Sequence, residues 1–178
     1  MMAAIFAGMA LIPSAAGVIA EDIERKSLRF LILAGVKPQH YLLGTGGFLL
    51  LAGTVASCTF AVIGDFTAMQ MLRFLVVMII GTAGSIILGM AIGMLSKNQQ
   101  AGTALCMPVA MILGFTPMIA SFNNTVEKIA SILYTQQLNV VINDVNAGMA
   151  KPVMVMFANI AVFLFLFILS YKMKGLRS

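Results

Sequence analysis

The chain predicts an all-α fold, a polytopic transmembrane helical bundle. Three observations predict it: the composition, the length of the apolar runs, and the placement of the charges. Of 178 residues, 61% are hydrophobic and 10% are charged, against about 45–50% and about 25% in ordinary soluble domains. A domain of this size has too little interior to hide so many apolar side chains from water. Five apolar runs lie near 1–20, 42–64, 72–95, 101–122 and 153–170. Each approaches the roughly 20 residues that a helix needs to cross about 30 Å of hydrocarbon. Alternating segments of about ten residues, the mark of a membrane barrel, do not occur. Residues 1–178 therefore read as a single transmembrane domain of about five spanning helices.

The first run begins at Met1 but lacks a basic leader, and Glu21 and Asp22 follow where a signal peptide would show a small-residue cleavage site. It is expected to be a retained span. Glu21 to Arg29 comes next, with six ionised side chains in nine residues. Each would cost roughly 2.5–3.5 kcal/mol at a bilayer centre, so the stretch must lie at a membrane surface. From Glu21 to Val36 it reads as a short helix: acids open it, as the macrodipole favours, and Glu21–Arg25 and Asp22–Lys26 are spaced as i,i+4 pairs. Ile23, Phe30, Leu31 and Ala34 fall on one face. Gly35 offers a stop and Pro38 forbids continuation, with the chain returning to the membrane at Tyr41. Such a helix suits docking on another protein and equally suits resting on headgroups.

The third run carries Gly81, Ser85, Gly89 and Gly93 four residues apart. A stripe of small residues lets two helices approach closely in lipid, either within this chain, the ordinary case, or with a second copy. Cys58 and Cys106 lie within runs and read as small packing residues. Pro108 and Pro117 should bend the fourth run and free carbonyls. Beyond it, residues 123–150 predict an amphipathic helix on the outer surface, dipping inward and ending before Asn143 to Gly148. Asn124 is its expected N-cap, Glu127 stands three residues on, and Val126, Ile129, Ala130 and Leu133 share a face. Asn123-Asn124-Thr125 also fits the short glycosylation pattern.

Orientation follows from the basic residues. Arg25, Lys26, Arg29, Lys37, Lys97, Lys172, Lys174 and Arg177 fall on one side, and Arg73, Lys128 and Lys151 on the other. The first side, with the C-terminus, is expected in the cytoplasm of a cell membrane, of prokaryotic plasma-membrane type. Tyr41 and Tyr171 then sit at the cytoplasmic interface, and five spans place the N-terminus outside. That placement hints at a further span upstream. The net charge of +5 matches this bias and anionic headgroups; a nucleic-acid partner is not expected, for want of a basic surface with stacking aromatics.

Away from the run ends, no Asp, Glu, Lys, Arg or His occurs within the spans. Ion-coupled carriers generally need one at depth, so a self-powered transporter is disfavoured. No HExxH motif, aspartate pair or Ser/His arrangement is present; no catalytic residue and no metal site is expected, and His40 reads as a surface bystander. The 15 methionines read as adaptable packing.

Several segments look familiar. Glu24-Arg25-Lys26-Ser27-Leu28-Arg29-Phe30-Leu31, then Gly35-Val36-Lys37-Pro38, then Tyr41-Leu42-Leu43-Gly44 resemble the membrane subunits of type-2 ATP-binding-cassette (ABC) exporters, in which such a run forms the cytoplasmic coupling helix. Leu95-Ser96-Lys97-Asn98-Gln99-Gln100 is similar to that family's second cytoplasmic loop, and Phe115 to Leu138 to its outer hairpin. The family usually has six spans; this chain looks as if it begins at the second.

The resemblance implies a permease that is not itself an enzyme. It would pair with a second permease copy or a homologue, and a separate ABC ATPase would bind ATP and Mg beneath it. Carried over, Glu24, Lys26, Leu28, Leu31 and Pro38 would shape the coupling helix near 21–38, and Lys97 and Gln99 would be secondary contacts. Two rivals are the substrate-binding component of a vitamin-type importer, to which Asn159 and the 123–150 segment would lend a polar pocket, and a non-transport membrane protein.

Overall fold

The computed structural model describes residues 1–64, 66–144 and 148–176. Residues 145–147 of the predicted outer segment, and Arg177 among the counted basic residues, lie outside them. Every regular element described is helical: α1 (Met2–Glu24), α2 (Ser27–Leu33), α3 (Pro38–Ile63), α4 (Ala68–Gly93), α5 (Gln99–Ala120), α6 (Asn124–Ala130), α7 (Tyr134–Asn143) and α8 (Ala150–Leu176). Five of these, α1, α3, α4, α5 and α8, are long and apolar enough to cross a membrane. Helices suit that setting because each satisfies its own backbone polar groups.

Helices α1 and α4 form the centre. α1 lies between α4 and α5, α3 packs on α4, and α8 packs on α4 and α7. Close approach is possible because the facing residues are small. A Cβ on Gly89 of α4 would come 2.4 Å from the Ile12 carbonyl oxygen, and one on Gly8 of α1 would come 2.8 Å from Gly114 Cα. Apolar side chains such as Phe48, Leu51 and Val55 on α3, and Phe157, Val162 and Phe165 on α8, point outward, as lipid contact requires.

Proline acts differently in different places. α1 is interrupted at Ala10, between stretches Met2–Met9 and Leu11–Glu24, because Pro13 offers no N–H to the Met9 carbonyl. α5 instead runs continuously through Pro108 and Pro117. Pro38 is the first residue of α3, preceded by extended Lys37; at that position the missing N–H costs nothing. The second span therefore starts at Pro38, before the Tyr41 return point predicted. One π-helical turn, Leu42–Gly46, widens α3 near its start.

The single helix predicted from Glu21 to Val36 is corrected to two. Glu21 to Glu24 complete α1, and the chain breaks at Lys26, whose φ of +60° is left-handed. Glu21 and Arg25 pair at 2.6 Å, but Asp22 does not pair with Lys26. Its carboxylate accepts hydrogen bonds from Ser27 Oγ at 2.9 Å and Tyr41 Oη at 2.6 Å, which hold it away from the lysine. The predicted apolar face is also revised: Leu28, outside it, is 1% exposed, whereas Phe30, Leu31 and Ala34 of that face are exposed. Gly35, with φ of +80°, does stop α2; its N–H meets Ile32 O, and the Val36 N–H meets Leu31 O, both at 3.0 Å.

The outer helix is likewise two helices. Asn123 rather than Asn124 caps α6, accepting from Thr125 N at 2.9 Å. Of the predicted face, Ala130 is buried while Ile129 is exposed. α7 is the part that dips inward: Tyr134, Thr135, Gln136, Gln137, Leu138 and Asn139 are all buried.

Candidate functional site

The two ends of the bundle differ in kind. One gathers the C-terminal ends of α1, α4 and α8, the N-terminal ends of α3 and α5, and all of α2. The other holds α6 and α7. Seven described basic residues, Arg25, Lys26, Arg29, Lys37, Lys97, Lys172 and Lys174, belong to the first, called here the basic end.

At the basic end, polar side chains tie the helices to one another. Asp22 at the end of α1 accepts from Ser27 of α2 and Tyr41 of α3. Tyr171 Oη of α8 donates to Val36 O just after α2, at 2.9 Å, and its ring lies 6.0 Å from that of Tyr41. Both tyrosines are 4% exposed, so they serve as internal latches between helices at this end. Glu24 Oε2 accepts from the Gln99 backbone N–H at 3.0 Å; the first turn of α5 presents unpaired N–H donors and a positive dipole end, and an acid satisfies both. Asn98 caps the same turn through Ala101 N at 2.8 Å. Lys174 Nζ donates to Met94 O at 3.3 Å and Ser96 O at 2.9 Å, neutralising the carbonyl end of α4.

The residues singled out from sequence fall as follows. Glu24 and Gln99 meet through that hydrogen bond. Lys26 holds the left-handed joint, and Leu28 seats α2 on Ile19, Tyr41, Met90 and Met94 in one buried cluster. Leu31 and Lys97 are exposed at the same end, and Pro38 starts α3. Sequence reasoning missed Asp22, Ser27 and Lys174 as connectors. Charge and hydroxyl content marked them only as surface-compatible; their partners lie on other helices. The small-residue stripe faces inward: a Cβ on Gly81 would come 2.6 Å from Leu138 Cδ1, and one on Gly93 would come 2.7 Å from Ala16 O. Ser85 Oγ lies 2.7 Å from Tyr134 Oη.

At the opposite end, α7 is fastened by that Ser85–Tyr134 bond, by Gln137 donating to Ser131 O, and by Asn159 Nδ2 of α8 donating to Ile132 O at 2.8 Å. Burial raises the Tyr134 phenol above its ordinary pKa, opposed by the bond to Ser85, and keeps it a neutral hydrogen-bonding group. Among the described residues, no three His, Cys, Asp or Glu side chains gather as metal ligands.

The bundle thus presents two unlike ends on five long apolar helices. Comparison with curated proteins and with solved structures finds no match. Residues 1–170, nearly the whole chain, match the ABC-2 family transporter protein family. The chain belongs to that family and is an ABC-2 transporter membrane component.

Proposed function

We propose that this chain is the permease subunit of an ABC exporter, with its basic end in the cytoplasm and its energy supplied by a separate ATPase subunit. That partner would bind ATP and Mg; this chain would bind neither. A second copy of the permease, or a homologue, would complete the passage.

The observation that carries this reading is the linkage of α2 to the bundle. Leu28 anchors it in the core, while Leu31, Phe30 and Leu33 are left facing outward. Hydrogen bonds at its two ends run to Asp22 of α1 and from Tyr171 of α8; Asp22 also binds Tyr41 of α3, and Glu24 of α1 carries the connection on to α5. A partner gripping the outward face of α2 would move four spans at once. An element merely resting on headgroups has no need of such connections.

The test is charge reversal at two positions, Glu24→Lys with Lys26→Glu, in the chain reconstituted with its ATPase. Stimulation of ATP hydrolysis by the permease should fall at least tenfold, with membrane insertion unchanged. Wild-type stimulation in that variant would contradict the coupling role.

A further inference from the structure

At the end opposite the basic one, α6, one face of α7 and the end of α5 surround a cavity of about 330 Å³. Residues 136, 139, 140 and 143 of α7 line it, a spacing that marks one face of a helix. Three of these four side chains, Gln136, Asn139 and Asn143, are carboxamides. Asn143 Nδ2 donates to Asn139 Oδ1 at 2.8 Å, so that pair answers itself in part. Gln136 does not share in this. It is 5% exposed, and its Oε1 is buried with no hydrogen-bond partner among the described residues. A buried carbonyl oxygen without a donor is costly to keep. On the cavity face, the missing donor can come from a bound molecule.

Charge decides what kind of donor it is. Glu127 of α6 also lines the cavity, and its carboxylate is unpaired among the described residues. Lys128 is the sole basic residue from 98 to 150, and it does not line the cavity. Arg73 bonds Met149 and lines a different hollow. Asp144, exposed at the rim, has an interaction of its own. A carboxylate beside a buried amide oxygen favours a cation that also donates hydrogen bonds. Pro117, Ala120 and Val140 supply an apolar wall, which a bare metal ion would leave unused. The volume lies near the lower bound of small-molecule sites, about 300–1,000 Å³. We infer that this cavity binds a small organic amine in its ammonium form. Glu127 holds the charge, Gln136 Oε1 accepts one of its protons in a hydrogen bond, and the carbon skeleton lies along the apolar wall.

The experiment uses the purified full chain in neutral detergent without an ATPase, so its outcome is separate from the coupling proposal. The chain is titrated by calorimetry with diaminobutane, butanediol and succinate, four-carbon molecules alike in length and different in charge. The diamine should bind saturably and about tenfold more tightly than the diol, weakening as salt rises, and succinate should not bind. Glu127→Gln, at an exposed position, should weaken the diamine about tenfold, whereas Lys128→Gln should not weaken it. Gln136→Leu should also weaken it while leaving the amine-free protein at least as resistant to heat, since no bond is lost. Should that variant fail to fold, Glu127→Gln decides the matter alone. Equal binding of diamine and diol, or unchanged diamine binding in Glu127→Gln, would overturn the site. Calcium that displaces the diamine and is itself lost in Glu127→Gln would reassign the cavity to a metal and overturn the amine reading.

Discussion

Asp22 shows how one carboxylate can join three elements: it belongs to α1 and accepts hydroxyls from α2 and α3. A hydrogen bond to a charged group contributes about 1.5–3 kcal/mol. Tyr41→Phe removes the 2.6 Å bond with almost no change in shape, so it should destabilise the purified protein by about that amount in denaturant unfolding. Lys26 makes a second case. Its left-handed backbone costs an L-residue with a Cβ roughly 1–2 kcal/mol. Lys26→Gly should therefore be more stable than Lys26→Ala by about 1 kcal/mol, measured the same way. Neither feature was legible in the sequence. Asp22 stood at i,i+4 spacing from Lys26, and only the fold brings Tyr41, 19 residues on, within reach. A glycine would have announced the left-handed joint; a lysine does not.

Among the elements, the long ones were legible and the short ones only half so. A span is declared by some twenty apolar residues, and small shifts at its ends leave that signal intact. α2 and α6 have seven residues each, too few for periodicity to fix a face, so tertiary contacts decided which side was buried. The stripe on α4 announced close packing, but naming its neighbours required knowing that α1 and α7 lie alongside. Its energetics can be checked by substitution. Gly89→Leu sets a side chain against the Ile12 backbone and should cost about 3 kcal/mol or more, since backbone cannot step aside. Gly47→Ala, where a Cβ meets nothing within 4 Å, should be neutral or slightly stabilising, by at most about 1 kcal/mol. Thermal unfolding in detergent separates the two.

For the molecule as a whole, bias in lysine and arginine made the polarity of the bundle readable before any coordinates, because charges avoid hydrocarbon wherever the chain folds. What that bias could not convey is that the charges interlock. Glu24 and Gln99 were each singled out from sequence, yet they are 75 residues apart and their bond exists only because α1 and α5 end side by side. The proposed orientation predicts that a thiol replacing Lys97, exposed at the basic end, is labelled by impermeant reagent only from the cytoplasmic side. A thiol replacing Asn124 should be labelled only from outside. Vesicles of defined sidedness make that comparison direct.

The most direct test of the central claim, that α2 takes up force from an ATPase, is site-specific photocrosslinking in native membranes. A photoreactive residue at position 31, on the outward side of α2, should capture a nucleotide-hydrolysing subunit, and one at position 129, at the opposite end, should not. Failure of position 31 to reach any such subunit while position 129 does so would contradict the account.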